Sequence, residues 1–157
     1  MTTPLFYENQ DWTFPLLDKV YGEIEKIAHE ELKLDTYPNQ IEIIDSEQML
    51  EAYTSSGMPN YYRHWSYGKD YESQSKQYKE GYSNLAYEIV LNCSPTIAYL
   101  QENNSMTMQA LVIAHASFGH NAVFKGNDYF TTWTQAGSIM DYLSFARNYI
   151  TKCETLY

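Results

Sequence analysis

Two histidines, His115 and His120, stand five residues apart in the run AHASFGHN. Neutral imidazoles ligate divalent transition metals and carry protons near neutral pH. The stretch that holds them, Ser105–Gly119, is the most apolar of the chain. Met106, Met108, Ala110, Leu111, Val112, Ile113, Ala114, Ala116 and Phe118 point in almost every direction around a helix, and a helix that is apolar all round is a buried one. Burying an imidazole costs free energy unless its ring nitrogens find partners, so this pair suggests metal ligands. Ligand pairs on an α-helix usually sit four residues apart on one face, whereas residues five apart diverge by about 140° on an ideal helix. A π-bulge, or a helix end at Gly119, would bring His120 back toward His115. The competing reading is two core histidines, each hydrogen-bonded separately.

A second group lies in YYRHWSYGK, Tyr61–Lys69. Arg63 and Lys69, with Tyr62 beside them, are candidates to grip a substrate carboxylate or phosphate. His64 is a candidate acid, base or further metal ligand. An aromatic cluster with Arg63 stacked on a ring explains the same residues without chemistry. His29 falls on the polar face of the first helix and reads as a surface residue.

The elements that must position these groups are legible in outline. Thr13 caps a helix over about Pro15–Leu34, with Leu17, Val20, Ile24, Ile27 and Ala28 at helical spacing. Tyr37–Gln40 is a turn, and Ile41–Ile44 a β-branched strand. Asp45 and Gln48 form a capping box for a short helix over Glu47–Thr54. Ser55–Pro59 is a loop, Tyr61–Asp70 has no clear period, and a polar, helical or irregular segment runs to about Asn84. Glu88–Asn92 is a second strand. Thr96–Leu100 is a third strand or the lead-in to a helix. Gly126–Asp128 is a loop, and Thr134 to about Lys152 a final helix. The fold class is α+β, with helices around a small sheet and the buried helix 105–119 at its centre.

The chain has 157 residues, enough for one domain with a real core, 1–157. With 20 acidic against 10 basic residues its formal charge is −10, which repels phosphate backbones and argues against nucleic acid as a partner. No apolar run reaches the length of a membrane span, and the first residues lack the pattern of a secretory signal. Cys93 and Cys153 are then expected as free thiols, in the cytoplasm. The 16 tyrosines, each with an apolar body and a polar tip, suggest either an amphipathic core edge or an exposed aromatic patch for docking.

The order helix, strand, strand, buried helix with two histidines is similar to the layout of zincin metallopeptidases, whose active helix carries H-E-x-x-H. This sequence departs from that motif by one residue inserted between the histidines and by Ala116 where the glutamate base would stand. The resemblance therefore asks for carboxylates from elsewhere. Glu102 is the candidate catalytic carboxylate and Glu88 a candidate ligand. Asp141, 21 residues after His120, lies where some zincins take a third ligand; a polar residue near a helix start is the alternative reading. The implied cofactor is zinc or another divalent metal, and the implied reaction is metal-assisted hydrolysis.

Longer strings carry a more specific resemblance. LDTYPNQIEII, SEQMLEAY, GMPNYYRHWSYGK, LAYEIVLNCSPTIAYLQENNSMTMQALVIAHASFGHNAVFKGN and WTQAGSIMDYLSFARNYI together resemble the stage V sporulation protein R (SpoVR-like) family of bacteria. The resemblance implies a bacterial cytoplasmic protein tied to spore cortex formation or stress physiology. It implies that this chain matches the N-terminal part of longer proteins. It also implies partners: the remainder of such a protein or another chain, a PrkA-type kinase and a von Willebrand-A-like protein. It supplies no accepted reaction. A non-catalytic regulatory or assembly module, with structural histidines, is the competing class.

Overall fold

The computed structural model describes residues 5–55, 65–82 and 86–156. The chain is α+β. Helix α1 (Phe14–Lys26) starts at Thr13, whose hydroxyl accepts from the Leu16 N–H, and runs on into a π-helical turn, Ile27–Glu31. Strand β1 (Asn39–Ile44) leads into α2 (Ser46–Thr54), and the Asp45–Gln48 capping box is formed in both directions. The polar segment after it is a regular helix, α3 (Trp65–Lys79). Strands β2 (Glu88–Leu91) and β3 (Thr96–Gln101) follow, so Thr96–Leu100 is a strand and not a helix lead-in.

The three strands lie in the order β1-β3-β2, with β1 parallel and β2 antiparallel to β3. Side chains alternate across a strand, and the two faces of the sheet separate cleanly. Ile41, Ile43, Val90, Ala98 and Leu100 pack on one face against Leu17, Val20, Met106, Val112, Ile113 and Phe118. Ile44, Ile89 and Tyr99 point to the other face and meet Met49, Leu50 and Tyr71 of α2 and α3. The sheet is thus sandwiched between α1 with the histidine helix on one side and α2 with α3 on the other.

The histidine helix begins as α4 (Met106–Ile113), capped by Ser105, and continues without a break as a seven-residue π-helix, Ala114–His120, before α5 (Asn121–Lys125). The bulge expected near Gly119 is present, and it occupies the whole histidine segment. Burial is less complete than the composition implies. Thr107, Leu111, Ala114 and His115 form an exposed face, with Leu111 63% exposed. Sequence hydropathy cannot assign this face, because the exposed residues include apolar ones.

The last third also differs in detail. Asp128 does not sit in a loop but opens α6 (Asp128–Trp133), because the Asn127 side chain caps the Tyr129 and Phe130 N–H groups. The final helix, α7 (Ile139–Leu156), begins later and ends later than expected, and none of its residues is buried. Tyr142, Phe145, Tyr149 and Leu156 make an exposed stripe along it, with the Phe145 and Tyr149 rings stacked. Among the described residues, no helix is long and apolar enough to cross a membrane. Both cysteines are free; Cys93 is buried, and burial pushes its thiol pKa up.

Asn121 fixes the end of the π-helix. It is 1% exposed. Its side chain accepts from the Tyr37 N–H (2.8 Å) and donates to the Tyr37 carbonyl (2.9 Å) and the Asn39 side chain (2.8 Å). Alanine at this position strands the two backbone groups of Tyr37. We expect Asn121→Ala to lower the unfolding free energy by about 2–3 kcal/mol, read from urea denaturation. A loss below about 0.5 kcal/mol would show that water replaces the clasp at no cost.

Candidate metal centre

The geometry of β2 and the π-helix brings three ligand types together. Glu88 and Val90 share a face of β2, and Val90 packs toward the histidine helix. Glu88 therefore projects to the same side, and its Oε1 contacts His115 Nδ1. An i→i+5 hydrogen-bonded helix places residues five apart about one turn from each other. The His115 and His120 rings accordingly meet, with centroids 4.4 Å apart and planes at 61°. One ligand atom from each of Glu88, His115 and His120 lies within 4.8 Å of the other two. Among the described residues this is the one grouping of three metal-capable side chains.

The surroundings are graded from wet to dry. The His115 side chain is 60% exposed and that of Glu88 15% exposed, and His120 is half-buried. The desolvation argument for two buried imidazoles thus fails for His115, which already reaches solvent. Phe124 stacks on His120 at 6.1 Å and 19°, and Phe130 packs against Phe124, closing one side. On Glu88, Oε2 is buried with no hydrogen-bond partner among the described residues. A carboxylate oxygen left unpaired out of water is costly, and a cation beside it would remove that cost.

The residues present fit a divalent metal. Two imidazoles and a carboxylate are a donor set suited to zinc and similar ions. Ligand atoms about 2.1 Å from one tetrahedral ion are about 3–3.5 Å apart, so side-chain adjustments of roughly an ångström would complete the set. Three protein ligands would leave a fourth position for water or another ligand.

Among the described residues, the other sequence candidates do not join this grouping. Glu102 is exposed just beyond β3, where its N–H donates to the Ile44 carbonyl and its carbonyl accepts from Trp12 Nε1. Asp141 is exposed in the first turn of α7, as its helix-dipole reading predicts, with α6 intervening between it and His120. Lys69 is exposed on α3. Tyr62, Arg63 and His64 lie outside the described residues. Ala116, at the position of the missing motif glutamate, is 0% exposed in the core. His29 is exposed, and it bonds Thr36 at 3.0 Å. Sequence reading missed the aromatic backing by Phe124 and the clasp by Asn121; the spacing of Phe124 four residues after His120 was the available signal for the first.

A family model described as "SpoVR like protein" matches residues 11–157. The uncharacterized protein YcgB of Escherichia coli (strain K12) is 57% identical over 150 residues, covering 96% of this chain and 29% of that protein. The chain therefore spans less than a third of the length of that curated relative. No solved structure matches.

Proposed function

Because the chain belongs to the SpoVR-like family, and no reaction comes with that membership, we propose from its geometry that it is a divalent-metal-binding domain, with Glu88, His115 and His120 as ligands. The observation that carries this is the convergence of two histidines at an i,i+5 spacing through a π-helix beside Glu88, whose Oε1 contacts His115 and whose Oε2 is buried without a partner among the described residues. A bound zinc-like ion would polarise a carbonyl or acidify a bound water, the chemistry of a zincin-related amide hydrolase. On the protein side, Glu88 and His120 would orient the centre, Phe124 would keep one side dry, and His115 would face incoming solute. Ala116 supplies no proton acceptor, so a hydrolase would need its base from another segment, His64 or Glu102 being the proposals.

The test is metal content of protein purified without a histidine tag, in the parent and in His115→Ala, His120→Ala and Glu88→Gln. We expect about one equivalent of zinc in the parent. Loss of a residue that merely hydrogen-bonds a ligand weakens metal sites about 10–100-fold, so loss of a ligand itself should weaken affinity at least that much. Equal metal in all four proteins would leave two structural histidines and favour a regulatory or assembly module.

The physiological setting we propose is that implied by the family resemblance, spore cortex formation or stress physiology, in the cytoplasm. The proposed partners are the further length of family proteins, a PrkA-type kinase and a von Willebrand-A-like protein. The exposed aromatic stripe of α7 supports a protein partner.

A further inference from the structure

The sheet has a second feature, far in sequence from the histidines. Strand β1 is an edge strand, and its hydrogen-bond phase is fixed by its ladder with β3. The Thr96 N–H donates to the Pro38 carbonyl and the Glu102 N–H to the Ile44 carbonyl, with Asn39 opposite Thr96 and Ile43 opposite Leu100. In a parallel ladder this phase turns the N–H and C=O of Gln40, Glu42 and Ile44 toward β3. Those of Asn39, Ile41 and Ile43 point outward, and among the described residues none of them has a backbone partner on that side.

The same residues floor an open groove of about 410 Å³ between β1 and α1. Ile41 and Ile43 form its base, and Phe14, Asp18 and Tyr21 its α1 wall. Phe14 is 68% exposed. Asp18 has no ion-pair or hydrogen-bond partner among the described residues. An outward row of unpaired backbone groups beside an empty apolar trough is what strand addition uses: main-chain bonds for affinity, and alternate side chains placed in pockets for specificity.

We propose that this groove binds an extended segment of another polypeptide. The segment adds to β1 through Asn39, Ile41 and Ile43, places aliphatic side chains against Phe14 and the two isoleucines, and sets a lysine or arginine against Asp18. Three features select this occupant. The free N–H and C=O groups need a main chain rather than a small apolar ligand. The trough accepts alternate apolar side chains. The unpaired Asp18, in a chain of formal charge −10, favours a basic strand over an acidic one. Five residues of β1, 39–43, span about 13 Å at strand rise, so the segment is about five to seven residues long. The proposal does not rest on the metal reading.

The probe is a seven-residue capped peptide of alternating valine and lysine, titrated against the full chain by calorimetry and by backbone amide hydrogen exchange. We expect saturable binding and slowed exchange of the Ile41 and Ile43 amides. A peptide with proline at its centre, which lacks a ladder N–H, should not bind. Replacing the peptide lysines by glutamate should weaken binding more than Asp18→Asn does, and Asp18→Asn should cost about two- to fivefold, as for one exposed ion pair. Phe14→Ala, at an exposed position, should weaken binding with the fold kept. Failure of the parent peptide to bind, or equal binding by the proline and glutamate peptides, overturns the proposal. So does protection confined to β2, or protection of β1 that appears without peptide and follows self-association.

Discussion

Alanine at Phe118 should lower the unfolding free energy by about 3–5 kcal/mol, a large share of the roughly 5–15 kcal/mol that holds a domain together. Phe118 is 2% exposed and heads the largest fully buried side chains. It lies in the middle of the π-helix, on the side away from the exposed His115 face, and joins that segment to α1. Its ring meets Tyr21 at 5.5 Å and His29 at 5.7 Å, the latter edge-on. Such aromatic pairs add about 0.5–1.5 kcal/mol each beyond area burial, and truncation would also leave a cavity among β-branched and aromatic neighbours that cannot all collapse into it. The control is Leu111→Ala on the same helix. Leu111 is 63% exposed, so its loss should stay within about 0.5 kcal/mol. Urea midpoints at unchanged m-value measure both. Equal losses in the two variants would mean that the π-helix is not anchored through Phe118. A further consequence is specific to the site: because Phe118 fixes the turn that aligns His115 with His120, Phe118→Ala should also weaken metal binding without removing a ligand.

How far the sequence discloses this arrangement depends on which physical signal each residue carries. Local chemistry is readable: the Thr13 cap, the Asp45–Gln48 box and the β-branched Ile41–Ile44 run form what their side chains favour. The i,i+5 histidine spacing is readable too, since convergence demands a helix wider than α, and a seven-residue π-helix is found. Exposure is not readable in the same way. Leu111 and Ala114 are apolar and exposed beside His115, so hydropathy alone placed the whole segment inside. The choice among carboxylates was a matter of strand phase. Glu88 reaches the histidines because it shares a face with Val90, whereas Glu102 has passed the end of β3, and Asp141 follows an extra helix, α6, that Asn127 nucleates. Periodicity gives the faces of one strand, but which face meets the histidine helix is set by how β2 pairs with β3. The edge groove along β1 was invisible for the same reason: an edge strand is defined by what is not paired to it.

Zinc should stabilise the parent protein by about 2.7 kcal/mol when present at 100 times its dissociation constant. For a chain of this size that corresponds to a melting temperature about 5–10 °C higher with zinc than with chelator. The stabilisation comes from linkage. Ligands on residues five apart can share one ion only while the segment Ala114–His120 keeps its π-helical turn, so metal binding selects against any state in which that turn has relaxed or unfolded. Amide exchange across Ala114–His120 should therefore slow more on zinc addition than exchange in α2 or α3. Magnesium, which prefers oxygen ligands in octahedral geometry, should produce no comparable shift. His115→Ala and His120→Ala should each lose the zinc-dependent rise. His115→Ala should leave the metal-free melting temperature within a degree or two, since that side chain is 60% exposed. Glu88→Gln is the most informative variant. Without metal it should be close to the parent or slightly more stable, because glutamine keeps one oxygen for the His115 contact and carries no charge at the position that is buried without a partner; with zinc it should fall below the parent. That reversal of sign is expected of a residue retained for binding rather than for folding. The same zinc-dependent rise in all three variants, or an equal rise with magnesium, would place the ion elsewhere on this acidic surface and dismiss the Glu88–His115–His120 centre.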